Sequence, residues 1–461
     1  MEPPASGNRN GTTIDRREDP PLRRTHLPLA AWLQLSLVLV LVVPLLPLFA
    51  RGIEPTAAAA SSPSSPRVEE PEAAFVRDGN LWRADGSKEK LLARGPNARN
   101  PRWSADGRWI AFAKGEPGGE ELWLIGKEGG EEKRISASGG SNFQWSPAGS
   151  RLAYQEETRL RWLTVAADSV QVAGSNTAGA IDGVGNYGWL PDGSGFIVSS
   201  VPAHLEDEWA PIRISTVTLA HPDRLRPLYA IPSATGSDFA VGTGRFKWSS
   251  DGRWVAFQAV PTASMSADSN SLCVLSADGG TFRRVGRMVR NEAWFGWAPG
   301  HAALAFIAGE GRESTSNKRL TIVHVPSFQS SVYTPDGYAD RDFSWEGDDR
   351  IVVSRSVESE WTADPAKRPF PFLARVGLRD RRQSVLTPRA SSYGDYDPVA
   401  IPAIPAMPSG RLAWVRSDRK SDSRVLLGNG DARRSSVWIP KLDMAPAFYE
   451  QFYWSSVLDI R

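Results

Sequence analysis

Eleven residues from Arg102 to Phe112, RWSADGRWIAF, return 145 positions later as KWSSDGRWVAF, Lys247 to Phe257. Looser copies are QWSPAGSRLAY from Gln144, GWLPDGSGFIV from Gly188, GWAPGHAALAF from Gly296 and SWEGDDRIVVS from Ser344. Their leading tryptophans, Trp103, Trp145, Trp189, Trp248, Trp297 and Trp345, are 42, 44, 59, 49 and 48 residues apart. A unit of that length repeated this often defines a repeat architecture, and it overrides any domain count based on 461 residues.

Each unit has the grammar of a small antiparallel sheet. Asp106-Gly107, Asp192-Gly193 and Asp251-Gly252 supply a tight turn, where Gly tolerates positive φ and Asp bonds its own backbone. The run that follows, WIAF or WVAF, is apolar at every position, whereas a strand with one wet face alternates. Both faces are therefore covered, as they are when each sheet lies between two neighbours. A second run such as ELWLI or SLCVL, a hairpin such as GKEGG or SADGG, and a third run such as KRIS complete four short strands. That is the content of one propeller blade.

The two ends of the repeat region fit together. Residues 73–93, AAFVRDGNLWRADGSKEKLLA, contain the last three strands of a unit without a leading tryptophan strand, and QFYWSS near the C-terminus offers the missing one. Pairing them closes a ring and removes an open sheet edge. A copy without its tryptophan, PSGRLAWV, occupies 408–415. The sequence thus predicts an all-β fold, a closed β-propeller of seven or eight four-stranded blades. Leading strands favour eight; the count is seven if the weak copy near Ala406 belongs to the sixth blade.

The Trp-Ser-Pro-Asp-Gly grammar, the Ile-Ala-Phe-like strand and the Asp-Gly-Gly hairpin resemble the WD-like repeats of the TolB-type β-propeller family. The resemblance covers roughly residues 73 to 460 and rests on repeat grammar rather than close identity. It implies a fold and leaves function to be argued from a site. Members of that family include bacterial envelope proteins that act as protein-binding platforms and propeller domains that gate peptidases. The sequence departs from the first in its apolar N-terminal segment and in lacking a separate N-terminal α/β domain. It departs from the second in having no hydrolase domain after the propeller.

That apolar segment is LPLAAWLQLSLVLVLVVPLLPLFA, residues 27–50, 24 residues without a charge. It exceeds the roughly 20 residues a membrane-crossing helix needs and the about 7–15 of a cleavable signal. Arg16, Arg17, Arg23 and Arg24 precede it, and only Arg51 and Arg67 soon follow, which favours an inside N-terminus. The expected organisation is a disordered cytoplasmic tail, 1–26, a transmembrane helix, 27–50, a Pro/Ser/Ala-rich linker, 51–72, and a propeller, 73–461. Cleavage near PTAAAASS, giving a secreted or periplasmic product, is the alternative.

Motifs for chemistry are missing. There is no Gly-x-Ser-x-Gly elbow, no HExxH and no Walker loop, and the five histidines are scattered. A net charge of +2 gives no support for a nucleic-acid partner. The single cysteine, Cys273, sits in a strand-like run and reads as a buried apolar filler. YGDYDP, with Asp395 and Asp397, offers two carboxylates where calcium needs six or more oxygens, so an ordinary polar turn is expected. No catalytic, cofactor or metal residue is assigned. The irregular insertions 201–242 and 356–372 carry Trp209, Trp361, Phe370 and Phe372, which are candidate anchors for a partner or else a cover for the propeller faces. These features point to a non-catalytic, extracytoplasmic β-propeller that binds a protein, peptide or other ligand at a bacterial-type cell envelope. The alternative is a hydrolase or lyase whose groups converge in the central channel from different blades.

Overall fold

The computed structural model describes residues 70–165, 179–206, 208–232, 238–402 and 410–461. The expected tail, membrane helix and most of the linker, 1–69, lie outside the described residues. Glu72, assigned above to the linker, opens the first strand.

Eight antiparallel sheets follow one another in chain order. The first blade is Glu72–Arg77, Asn80–Asp85 and Lys88–Ala93, completed by Leu458–Ile460. Blades two to eight begin with Arg99–Trp103, Phe143–Trp145, Val184–Trp189, Gly242–Thr243 with Lys247–Trp248, Phe295–Trp297, Tyr338–Trp345 and Gly394–Ile401. Each then adds three strands in chain order, the fourth blade with a separate small hairpin, His204–Leu205 and Glu208–Trp209, between its second and third. Ring closure pairs Ala73 with Ile460, Ala74 with Asp459 and Phe75 with Leu458.

Two expectations need correction. The closing strand is Leu458–Ile460 rather than QFYWSS: Gln451–Phe452 turns back on Ala447–Phe448, and Trp454–Ser456 is a single 3-10 turn. Phe452 and Trp454 instead fill the core beneath the closure, beside Tyr396 and in one cluster with Phe75. YGDYDP, expected to be a polar turn, instead opens the first strand of the eighth blade, Gly394–Ile401, and the weak copy supplies that blade's second strand, Arg411–Ser417.

The repeated residues have separate jobs. Ile110 to Ala113 and Val255 to Phe257 are wholly buried, as a strand covered on both faces must be. In the turn before them, Ser104 Oγ donates to Asp106 Oδ1 (2.6 Å), which also accepts the Arg108 amide (3.1 Å), while Ser104 Oγ accepts the Trp109 amide (3.0 Å). Ser249, Asp251, Arg253 and Trp254 repeat the same three bonds at 2.6, 3.1 and 3.0 Å. Gly107 and Gly252 take φ of 65° and 66° at the tip, a region that favours glycine.

The leading tryptophan joins one blade to the one before. Its indole N–H donates to a backbone carbonyl on the preceding blade's first strand: Trp103 to Asp459, Trp145 to Arg102, Trp189 to Gln144, Trp248 to Trp189, Trp297 to Lys247 and Trp345 to Gly296, all at 2.8–3.2 Å. The eighth blade lacks the tryptophan, and there the Ala400 amide donates to Ser344 Oγ (3.0 Å). It grips the first blade through Trp438 Nε1 on the Gly86 carbonyl (2.7 Å) and Asp443 on the amides of Asp78 and Gly79 (2.7 and 2.8 Å). Trp189→Phe keeps an aromatic ring but removes such a bond, so it should lower unfolding stability by about 2 kcal/mol in a denaturant titration. Trp109→Phe, which removes a buried indole N–H without a partner, should cost clearly less. Equal costs would contradict the bond's role.

Candidate functional site

The first strands surround the axis, and four of them are broken by register shifts: Arg99/Arg102, Val184/Asn186, Arg341/Phe343 and Tyr396/Val399. A bulge adds a residue that cannot pair and re-aims its side chain. The residues displaced here, Asn100, Gly185, Asp342 and Asp397, all line cavities along the channel. Asn100 and Asp397 take φ of 51° and 45°, and each precedes a proline, Pro101 and Pro398. Proline has no N–H for the ladder and is confined to such places within a sheet.

Three cavities of 470, 660 and 250 Å³ adjoin one another, with Glu292 and Ser455 common to all three. On one side the lining is amides. Asn142 Nδ2 donates to Asn186 Oδ1 (3.3 Å), Gln144 Nε2 to the Tyr187 carbonyl (3.1 Å), and Asn186 Nδ2 to the carbonyls of Thr243 (3.1 Å) and Gly244 (2.7 Å). This belt ties blades three, four and five together while leaving amide edges on the channel.

Beside it stand cations. Arg102 Nη1 donates to the Ser455 carbonyl (2.6 Å), and Lys247 Nζ donates to the carbonyls of Glu292 (2.6 Å) and Phe295 (2.8 Å). Burial, then the charge of Arg245, pushes the Lys247 ammonium down to about 8. Asp459, whose Oδ2 accepts the Trp103 amide (2.8 Å), is held above the ordinary carboxylate range by burial, opposed by Arg102.

Asp342 and Asp397 form the remaining wall. Asp342 Oδ1 accepts Trp294 Nε1 (2.7 Å), and its Oδ2 accepts the Asp397 amide (3.3 Å). Burial raises the Asp342 carboxyl. Burial and then the Asp342 charge push Asp397 up to about 7, with Arg102 pulling the other way. Burial and a neighbouring acid thus favour the protonated form of Asp397, the arrangement from which acid–base work or cation recognition is built.

The sequence-based candidates lie elsewhere. Trp209 sits half-buried in a two-residue strand, edge-on to His204. Trp361 packs on Tyr449 (4.9 Å) with the Arg368 guanidinium 3.8 Å from its ring centroid, and Phe370 lies under Arg419 (3.6 Å). Phe372 is 2% exposed in a blade-seven strand and presents no ring to a partner. Asp395 is buried against Trp414 Nε1 (3.0 Å) and Arg416 (2.7 and 3.0 Å), which is a structural anchor rather than a ligand. Among the described residues no group of three His, Cys, Asp or Glu side chains could hold a metal ion. Cys273 is wholly buried, its thiol pushed up to about 12, so it is an inert filler as expected. The channel residues themselves went unassigned. The one signal for them was Asn-Pro and Asp-Pro inside strand-like runs, at Asn100-Pro101 and Asp397-Pro398.

No protein-family model matches the chain, and no curated protein matches it. Among solved structures it is similar to a eukaryotic initiation factor (10% identity, TM-score 0.47, 81% of this chain and 100% of that one). It is also similar to puromycin hydrolase (13%, 0.43, 78% and 56%) and to TolB from Acinetobacter baumannii (14%, 0.34, 68% and 62%). The chain thus spans little more than half of the hydrolase. These likenesses are too distant to carry an argument, and the fold rests on this chain's own strand pairing. It is an eight-bladed, closed β-propeller.

Asp397 supplies a pH test. Between its ordinary 3.8 and about 7 the folded chain keeps a proton that the unfolded chain has lost. The unfolded state then binds fewer protons, so this group makes stability fall as pH rises through that window. Asn tolerates the left-handed backbone and removes the titration. The stability of Asp397→Asn minus that of the unaltered protein should therefore climb between pH 4 and 7, by up to about 1.4 kcal/mol per pH unit. A difference that stays flat in pH-resolved denaturation would contradict the paired site.

Proposed function

We propose that this chain is a non-catalytic binding platform that takes a protein or peptide partner at the mouth of its central channel. In this reading it works at a bacterial-type cell envelope, held to the membrane by residues 27–50 with the N-terminus inside and the propeller outside. No nucleic-acid partner is involved. The observation that carries the reading is the channel wall, where amides, guanidinium groups and carboxylates from separate blades face one space. Such a surface offers a polypeptide backbone both donors and acceptors in fixed positions, as ligand sites on rigid scaffolds do. A photo-crosslinking residue at exposed Ser455, in full-length protein in intact cells, should capture a discrete envelope protein. The same residue at exposed Arg224, outside the channel, should not. Equal capture at both positions, or none at either, would count against a channel platform.

A second reading has one observation in its favour, the Asp397 carboxyl poised at about 7 beside Asp342. A general acid or base works best with a value near the operating pH, so the pair suits a hydrolase or lyase. Cleavage of the captured partner by the unaltered protein, but not by Asp397→Asn, would favour the enzyme. Recovery of an intact partner from both would favour the platform.

A further inference from the structure

The 250 Å³ cavity at the Asp342–Asp397 end of the channel holds more than a pair of acids. Asn291 is 1% exposed; its Oδ1 accepts the Ala293 amide (3.0 Å), while its Nδ2 has no partner. Trp454 is 2% exposed, its ring held against Phe452 (5.4 Å) and Tyr396 (5.9 Å), and its Nε1 has no partner either. Both residues line the cavity together with Asp342 and Asp397. A buried donor left unpaired is costly, and native structures seldom leave two lining one cavity without an occupant. Among the described residues no side chain or amide donates to the Asp397 carboxylate, so it too is free to receive.

The occupant must satisfy both halves of this wall. A bare metal ion would meet the carboxylates but leave the two N–H donors unspent. A simple anion would take the donors but meet the acidic pair at close range. A group that carries a cationic donor and, a few bonds away, a neutral acceptor oxygen satisfies both. The α-ammonium and first carbonyl of a peptide have that spacing. The next residues have somewhere to go, because the 470 Å³ cavity with its amide belt shares Arg290, Glu292, Tyr453 and Ser455 with this one.

We propose that the channel recognises the free N-terminus of a peptide, its ammonium on Asp342 and Asp397 and its first carbonyl on Asn291 Nδ2 and Trp454 Nε1. This deepens the platform reading and rests on it. The test uses immobilised full-length protein and one random hexapeptide library prepared in two forms, with free and with acetylated N-termini. Retained peptides are read by mass spectrometry. The free form should be retained at least about tenfold better than the acetylated form, since a charge-assisted contact is worth 1.4 kcal/mol or more. Asp342→Asn with Asp397→Asn should bring that ratio near one, and Trp454→Phe should lower retention of the free form severalfold; thermal melts check that each variant is folded. The ratio on the unaltered protein needs no variant, so a folding failure leaves it decisive. Equal retention of the two forms, or no retention of either, overturns the proposal. The Ser455 crosslink separately decides whether the channel is a platform at all.

Discussion

One hydrogen bond recurs around this ring: a tryptophan indole N–H on each new blade donates to a carbonyl on the first strand of the blade before. Six of the eight junctions use it. Each such bond is worth only about 1 kcal/mol net, yet its indole also fills the wedge between sheets, so position and packing are set by one side chain. A first strand near the axis has few residues with which to register itself against its neighbour. The indole supplies that register. Where it is missing, at the eighth blade, the Ser344 hydroxyl, Trp438 and Asp443 do the joining with three different geometries.

Because the ring is held by these contacts at the ends of the first strands, the rest of each first strand is free to break its own regularity. Four of them do so, and the displaced residues face the channel. Asp397 is the extreme case, with a left-handed backbone, a following proline and a carboxyl driven toward neutrality by burial and by Asp342. A fold selected only for stability would not keep two facing acids beside two unpaired donors, and such departures concentrate at functional sites. The channel, not the aromatic insertions, is where this molecule departs from what stability alone favours.

The fold was legible because its signals are local. Trp, the Ser-x-Asp-Gly turn and the fully apolar second strand recur at a period of one blade, and each is explained by contacts within a few residues or to the adjacent blade. The first strand of the eighth blade was misread because Gly394–Ile401 lacks tryptophan and carries Asp, Tyr and Pro, which read as a turn. The closing strand was misplaced by four residues or more, since Phe452 and Trp454 imitate a leading strand while serving as core beneath it. The candidate site was not legible. Its members come from all eight blades and from the C-terminal turn, and nothing in their spacing shows that Asp342 and Asp397, or Asn291 and Trp454, share one cavity. Exposed-loop reasoning pointed to Phe372, whose place at the start of a buried strand was hidden by the proline-rich insertion before it.

The account stands on the ring being shut by the last strand. Amide hydrogen exchange at the first blade tests this most directly. The Val76 amide donates to the Val457 carbonyl (2.9 Å) and the Glu72 amide to the Arg461 carbonyl (3.2 Å). A closed ring predicts that both exchange as slowly as amides inside the second blade, through opening of the whole propeller. Exchange at Glu72 and Val76 at the rate of a free sheet edge, with the interior of the second blade still protected, would contradict it.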